Sequence, residues 1–427
     1  MRLTFPYQTE RLGPVKVYGV QHVFELDSGP SLGDTSLSWG TTVAHIPYNT
    51  LVRVQRQMAI VVPCRDERLK LLEGVLAAVP HECLVILVSN SQREPVDRYA
   101  MEVESVERFC RFNHRSALVV HQRDPGLADA FAAAGYPHIL SDGRVADGKG
   151  EGMMVGIALA SLAGREYVGF VDADNYVPGS VTEYVNAYAA DFALARTPYS
   201  MVRICWQSKP KVVDGSLFFS RWGRVSETTN RFLNLMLAEL TGFGTEAIRT
   251  GNAGEHAMSL PLALRLRFAS GYAVEPFELI DLFERFGTAQ DHPMPEADVM
   301  RRGIEIYQVE TRNPHFHEDK GDAHIEDMRL AALATIFDSE VCPPRLRDEI
   351  REFLKREGVD DPDAALTRGT AVYPPLETVD WESFARLLRD RAVTFAEVAY
   401  PDDNRIIDTP PLPLTWNRRT GPAGDSA

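Results

Sequence analysis

The chain has 427 residues, room for one large α/β domain or two average ones. With 45 Lys and Arg against 60 Asp and Glu, its net charge is −15; this argues against a nucleic-acid partner, and any anionic ligand has to be met by locally placed Arg and Lys. No run approaches the ~20 apolar residues of a membrane span, so no membrane partner is expected, and five scattered cysteines without CxxC spacing (Cys64, Cys83, Cys110, Cys205, Cys342) fit a reducing cytoplasm rather than structural zinc.

Residues 1–55 hold Pro6, Pro14, Gly29, Pro30, Gly33 and Gly40 around an alternating run from Val15 to Leu26, which reads as an N-terminal arm or hairpin with a loose connection. Residues 56–205 then alternate two patterns. Met58–Pro63, Cys83–Val88, Ala117–Val120, Tyr167–Val171 and Ser200–Cys205 are short apolar runs of the kind buried on both faces of a sheet. Between them lie helical patterns at Glu67–Val79, Pro95–Phe112, Pro125–Ala134, Gly150–Ala163 and Gly179–Ala195. Such alternation predicts an α/β fold with a doubly wound, mostly parallel sheet, whose site lies at the carboxyl ends of its strands. Residues 206–340 turn helix-rich (Val225–Leu240, Gly254–Leu266, Pro276–Phe286, Ala323–Phe337) and read as the acceptor-binding part. Residues 341–427 form a C-terminal extension with helices at Pro344–Glu357 and Val379–Arg391 and a Pro-rich tail predicted to be disordered.

The strongest chemical signal is Tyr167-Val-Gly-Phe-Val-Asp172-Ala173-Asp174-Asn-Tyr. Two carboxylates one residue apart at a strand end converge on one hard cation, Mg²⁺ or Mn²⁺, which takes such ligands together with substrate phosphates. A nucleotide-sugar diphosphate is the natural third party, because the cation offsets charge on the leaving phosphate. The same Asp-x-Asp also opens haloacid-dehalogenase-like phosphatases, with Asp172 as nucleophile; the Asn175-Tyr176 continuation and the strands before it argue against that alternative.

Other candidates fall at the same predicted lips. Pro63, Arg65 and Glu67 close the first strand of the sheet and Ser89 the second, where nucleotide-binding loops grip base and ribose. Gly148-Lys149-Gly150-Glu151-Gly152 opens a helix whose N-terminus and lysine favour a phosphate. Asn252-Ala-Gly-Glu255-His places a carboxylate at a predicted helix start, where it can either face sugar or acceptor or stabilise that helix terminus. In Asn313-Pro-His315-Phe-His317 only one imidazole can ligate in an extended loop, and His317 is preferred. Arg203, Arg224 and Asn230 lie among the basic and polar groups suited to an anionic acceptor.

Taken in order, Val62-Pro63-Cys-Arg-Asp-Glu-Arg-Leu, Val171-Asp172-Ala-Asp174-Asn-Tyr, Asn252-Ala-Gly-Glu-His-Ala-Met, Ala269-Ser-Gly-Tyr-Ala-Val-Glu-Pro276 and Asn313-Pro-His-Phe-His317-Glu-Asp-Lys-Gly resemble the mannosyl-3-phosphoglycerate synthase family, retaining glycosyltransferases of GT-A fold. The resemblance covers about residues 1–340. It implies mannose transfer from GDP-mannose to 3-phosphoglycerate, in compatible-solute (mannosylglycerate) synthesis. By it Asp172 contacts the nucleotide sugar, and Asp174 and His317 hold Mg²⁺ or another divalent cation such as Mn²⁺, Co²⁺ or Zn²⁺; Pro63, Arg65, Glu67, Ser89, Lys149, Glu151 and Ala173 are expected at the same nucleotide sugar from their places at the predicted lips. Arg203, Arg224, Asn230 and Asn252 face the acceptor, Asp172 and Glu255 are the catalytic candidates, and a homodimer stays open. No second Asp-x-Asp-Thr motif follows residue 340, so a fused phosphatase is not expected.

Overall fold

The computed structural model describes residues 1–5, 8–26, 43–213, 216–220, 223–287, 296–316, 321–399 and 406–407. Four strands, β1 (Arg2–Thr4), β2 (Thr9–Leu12), β3 (Val15–Glu25) and β4 (Val43–His45), and helix α1 (Tyr48–Gln55) precede the alternating region. That region runs β5 (Met58–Cys64), α2 (Leu69–Ala78), β6 (Leu84–Ser89), α3 (Arg98–Asn113), β7 (Ala117–His121), α4 (Pro125–Ala133), the short pair β8 (Leu140–Ser141) and β9 (Arg144–Val145), α5 (Lys149–Leu162), β10 (Tyr167–Phe170), α6 (Pro178–Leu194) and β11 (Ser200–Trp206). A hairpin of β12 (Lys209–Val213) and β13 (Ser216–Ser220), then α7 (Arg224–Thr241), β14 (His256–Ser259), α8 (Leu260–Ala263), β15 (Phe268–Ala269), α9 (Val274–Phe286), α10 (Glu296–Arg302), β16 (Ile304–Thr311) and α11 (Asp322–Asp338) follow. The extension adds α12 (Pro344–Arg356), α13 (Pro362–Leu366), β17 (Val372–Tyr373), α14 (Trp381–Arg391) and β18 (Ala396–Val398).

One large sheet has the order β18-β7-β6-β5-β10-β14-β11-β16-β3-β1-β4, with β2 on β3. Its centre, β7-β6-β5-β10, is parallel, as are β11-β16-β3. In β5, Ala59 and Val61 pack on one face with Leu127, Met153 and Ile157, while Ile60 and Val62 pack on the other with Leu72, Val106 and Val185. Period-two alternation with apolar residues at every position is what a sheet covered on both sides demands. Helix α5 is apolar nearly all round and buried from Gly150 to Leu162, because the sheet covers one side and the C-terminal half the other.

Three local expectations change. Residues 1–55 contain the expected hairpin, β2 on β3, but it does not hang off the fold as an arm: β3 also pairs in parallel with β16 inside the sheet. The predicted helix Gly254–Leu266 is instead a turn, the strand β14 and the four-residue α8; β14 inserts antiparallel between β10 and β11, and their backbone pairing overrides its helical periodicity. The extension is built in: β18 becomes the edge strand beside β7, and α14, N-capped by Asp380, packs on α4. The tail from 408 onward lies outside the described residues.

Candidate functional site

Strand β10 ends where Val171 N–H reaches the Val61 carbonyl at 3.1 Å, and the chain turns through Asp172, Ala173 and Asp174 at the carboxyl edge of the parallel strands. Asn175 fixes this turn: its Nδ2 donates to the Asp172 carbonyl (2.9 Å) and to Glu255 Oε1 (3.1 Å). Lys149, the first residue of α5, extends Nζ between Asp172 Oδ1 (2.8 Å) and Glu275 Oε1 (2.9 Å). The two carboxylates outweigh burial and hold the ammonium's pKa well above its ordinary value. Gly254 allows this approach, since a Cβ there would stand 2.8 Å from Asp172 Oδ2 and 3.1 Å from Lys149 Nζ. Gly150 is equally constrained, with the Ala269 carbonyl 2.3 Å from where its Cβ would be.

Glu255 is fully buried beneath the turn, and its Oε2 has no hydrogen-bond partner. Burial pushes its pKa up to about 8, with the negative charges of Asp172 and Asp174 adding to the rise and Asn175 and Lys149 opposing it. His315 Nδ1 lies 3.7 Å from Glu255 Oε1 and 3.3 Å from the Tyr184 hydroxyl, with its ring stacked on Trp206 at 4.2 Å. The loop carrying it is anchored by Glu183, which accepts from Arg312 N (2.7 Å) and from Asn313 N and Nδ2 (2.9 and 2.7 Å). His317 lies outside the described residues. Lys209 Nζ sits 4.9 Å above the Trp206 ring, its pKa lowered by burial despite the pull of Glu255, Asp172 and Asp174.

Beside the turn, at the ends of β5, β6 and β7, opens a cleft of about 530 Å³. Arg65, Asn90, Arg123, Arg144 and Asp147 are among its walls. Asp66, with φ of 61°, ties the first two loops together: its N–H donates to Ser91 Oγ (2.7 Å) and its Oδ1 accepts from Gln92 N (3.0 Å). Glu67 turns its carboxylate back onto the Arg65 N–H. Ser89 is fully buried and spends its hydroxyl on Glu102 (2.6 Å), which also accepts from Ser91 Oγ at 2.6 Å. Glu151 is buried as well, accepting from the Tyr373 hydroxyl (2.7 Å) and Gly271 N (3.2 Å). Ser89 and Glu151, expected to touch a nucleotide sugar, therefore turn inward and brace the cleft walls. Pro63 and Ala173 are buried backbone positions at the same rim, Pro63 less completely.

On the far side of the turn, a small cavity is lined by Trp206, Ser226, Arg249, Thr250 and Asn252. Asn252 is 8% exposed, yet neither its Oδ1 nor its Nδ2 is hydrogen-bonded; Thr229 Oγ1 is equally unpartnered. Orphaned polar atoms of this kind are rare in a folded interior, and beside a cavity they leave hydrogen-bonding capacity open to a ligand. Asn230, expected beside them, instead accepts the Gly251 N–H (2.7 Å). Arg203 is corrected more sharply: wholly enclosed, it donates to the Thr250 and Glu275 carbonyls and to Glu278 Oε2 at 2.6 Å, leaving no face for an acceptor. His256 completes this buried group, Nε2 lying 2.9 Å from Glu278 Oε1. Arg224 opens α7, and its side chain is not among the described ones. Glu275, Arg249 and Asp147 were missed by the sequence reading; the signal for Glu275 was its place in the Ala269–Pro276 motif.

Residues 5–388 match the family model described as mannosyl-3-phosphoglycerate synthase. A mannosyl-3-phosphoglycerate synthase of Pyrococcus furiosus is 44% identical over 400 residues, covering 92% of this chain and 98% of its own length. One of Aeropyrum pernix is 35% identical over 398 residues, covering 92% and 99%. Among solved structures, a Mycobacterium tuberculosis glucosyl-3-phosphoglycerate synthase in complex with Mn²⁺, UDP-glucose and phosphoglyceric acid overlaps at a TM-score of 0.45 with 20% identity, covering 76% of this chain and 92% of that one. That overlap is too loose to carry residue roles across.

Proposed function

The chain belongs to the mannosyl-3-phosphoglycerate synthase family, and from that premise we propose that it transfers mannose from GDP-mannose to 3-phosphoglycerate with retention of anomeric configuration. The observation that carries this reading is the position of Asp172, Asp174 and Lys149 between two unlike recesses, a roomy polar cleft and a small cavity with an unbonded amide. With a transferase family matched, the phosphatase reading of Asp172 drops away.

The 530 Å³ cleft receives the nucleoside, and the pyrophosphate runs toward the Asp172–Asp174 turn. Asp174 and Asp172, joined by His317, would hold a divalent cation. Among the described residues no three His, Cys, Asp or Glu side chains converge as a cage. The acidic side fits all the same: even with Lys149 on Asp172 Oδ1, Asp172 and Asp174 bring their carboxylate oxygens together at one turn above Glu255, and oxygen donors of this kind suit a hard cation. When bound, such an ion offsets the charge of the departing diphosphate.

Lys149 and the Asn175-braced turn fix where that diphosphate sits, and Asn252, Thr250 and Arg249 orient the acceptor on the other side. Retention then follows from attack on the face the diphosphate leaves, a diphosphate oxygen taking the proton of the incoming hydroxyl. Glu255, enclosed under the turn with Oε1 on Asn175, serves as a brace. Asp174→Ala tests the reading: it abolishes EDTA-sensitive mannose transfer, and normal activity in that variant would refute the metal role. Cytoplasmic residence accords with five buried cysteines outside any disulfide. Among the described residues no helix is long and apolar enough to cross a membrane.

A further inference from the structure

We propose that Asp147 is the residue that selects guanine over other bases, a specificity role that rests on the nucleotide-sugar reading of the cleft. Asp147 stands in its wall with a side chain 44% exposed. Its Oδ1 accepts from Arg65 Nη1 (2.9 Å) and from Asn90 Nδ2 (2.6 Å), two donors that orient the carboxylate. Its backbone is locked as firmly. Gln122, 2% exposed, donates through Nε2 to the Ala146 carbonyl (2.7 Å) and the Gly148 carbonyl (3.0 Å), the two positions flanking Asp147. Ala146 N–H is tied in turn to the Ile139 carbonyl at 2.9 Å.

Held this way, the carboxylate of this cleft-lining residue leaves Oδ2 without a partner in the described structure. An ionised carboxylate accepts and never donates. Among the common bases, guanine alone presents two adjacent donors on one edge, N1–H and the N2 amino group, and the two lone pairs of the open Oδ2 take both. Adenine sets the N1 lone pair beside its amino group, and uracil flanks N3–H with two carbonyl oxygens. Both therefore bring a lone pair against the negative Asp147 oxygens, and the repulsion adds to the missing bond. Arg65 and Asn90 hold the acceptor in register before the base arrives, so little ordering is left to do on binding.

The test compares GDP with IDP, which differs only in lacking the N2 amino group, by calorimetric titration of the full-length protein with Mg²⁺ present. The parent is expected to bind GDP about 10- to 100-fold more tightly than IDP, the range for a hydrogen bond to a charged group. Asp147→Ala is expected to weaken GDP to the parent's IDP value or below and to bind the two within about 2-fold. If Asp147→Ala keeps the full GDP preference, or weakens both nucleotides equally as a ribose-binding carboxylate would, the assignment is wrong while the transferase reading stands. If the parent binds GDP and IDP alike, the assignment again fails alone. If it binds neither, the transferase reading falls and takes the assignment with it.

Discussion

Replacing Lys149 by Met removes one ammonium and keeps nearly the same volume, and the structure says what that costs. Glu275 is 2% exposed, its Oε2 has no partner, and Lys149 is the group that meets its Oε1. Asp172, 31% exposed, can turn to water when the lysine goes; Glu275 cannot. An uncompensated buried charge costs about 3–5 kcal/mol, and this is the expected loss of unfolding free energy in Lys149→Met. The double variant Lys149→Met with Glu275→Gln removes the stranded charge as well and is expected to recover more than half of the loss. Mannose transfer, in contrast, stays abolished in both, because the ammonium that meets Asp172 and the diphosphate is gone. Urea unfolding followed by fluorescence gives the stabilities, and initial rates give the transfer. A single variant within about 1 kcal/mol of the parent, or a double variant no more stable than the single, would refute the ion-pair reasoning.

Three further outcomes are expected. Asn252→Ala breaks no internal hydrogen bond; it should raise the acceptor KM about 10-fold or more while the GDP-mannose KM and the melting temperature hardly move, and an unchanged acceptor KM removes Asn252 from the site. Tyr373→Phe takes away the donor that ties the C-terminal extension to Glu151 at the start of α5, a charge-assisted bond worth about 1.5–3 kcal/mol in urea unfolding; a loss below 0.5 kcal/mol, within ordinary surface scatter, would mean the tie contributes nothing. Asp191 is fully buried beside the Gln21 amide, and burial outweighs that amide in holding its pKa well above the ordinary value. A carboxyl whose pKa is raised by folding contributes stability below its unfolded pKa of about 3.9 and loses it as pH climbs toward the folded value. Asp191→Asn should therefore gain on the parent between pH 4 and pH 8, and a pH-independent difference would contradict this.

The parallel strands and their helices were legible because a sheet covered on both faces needs uninterrupted apolar runs, and β5, β6, β7 and β10 supply them. The Asp172–Asp174 turn was legible because it follows one of those runs. Strand β14 was not: its register is set by β10 and β11 on either side, distant in sequence, while Gly254–Leu266 carries a helix-like spacing of its own. Side-chain direction was equally hidden. Arg203 looks like an anion ligand in sequence, yet alternation along β11 turns it into the core toward Glu278. Ser89 faces Glu102 for a like reason. Nor could spacing foretell that β18 joins β7 or that Tyr373 reaches Glu151, since both contacts span more than 200 residues.

Incubation with GDP-mannose, 3-phosphoglycerate and Mg²⁺, followed by NMR of the product, tests the transferase assignment most directly. An α-linked mannosyl-3-phosphoglycerate, formed in step with GDP release and lost on adding EDTA, is the expected result. A β-linked product, release of inorganic phosphate from 3-phosphoglycerate, or no consumption of GDP-mannose would contradict it.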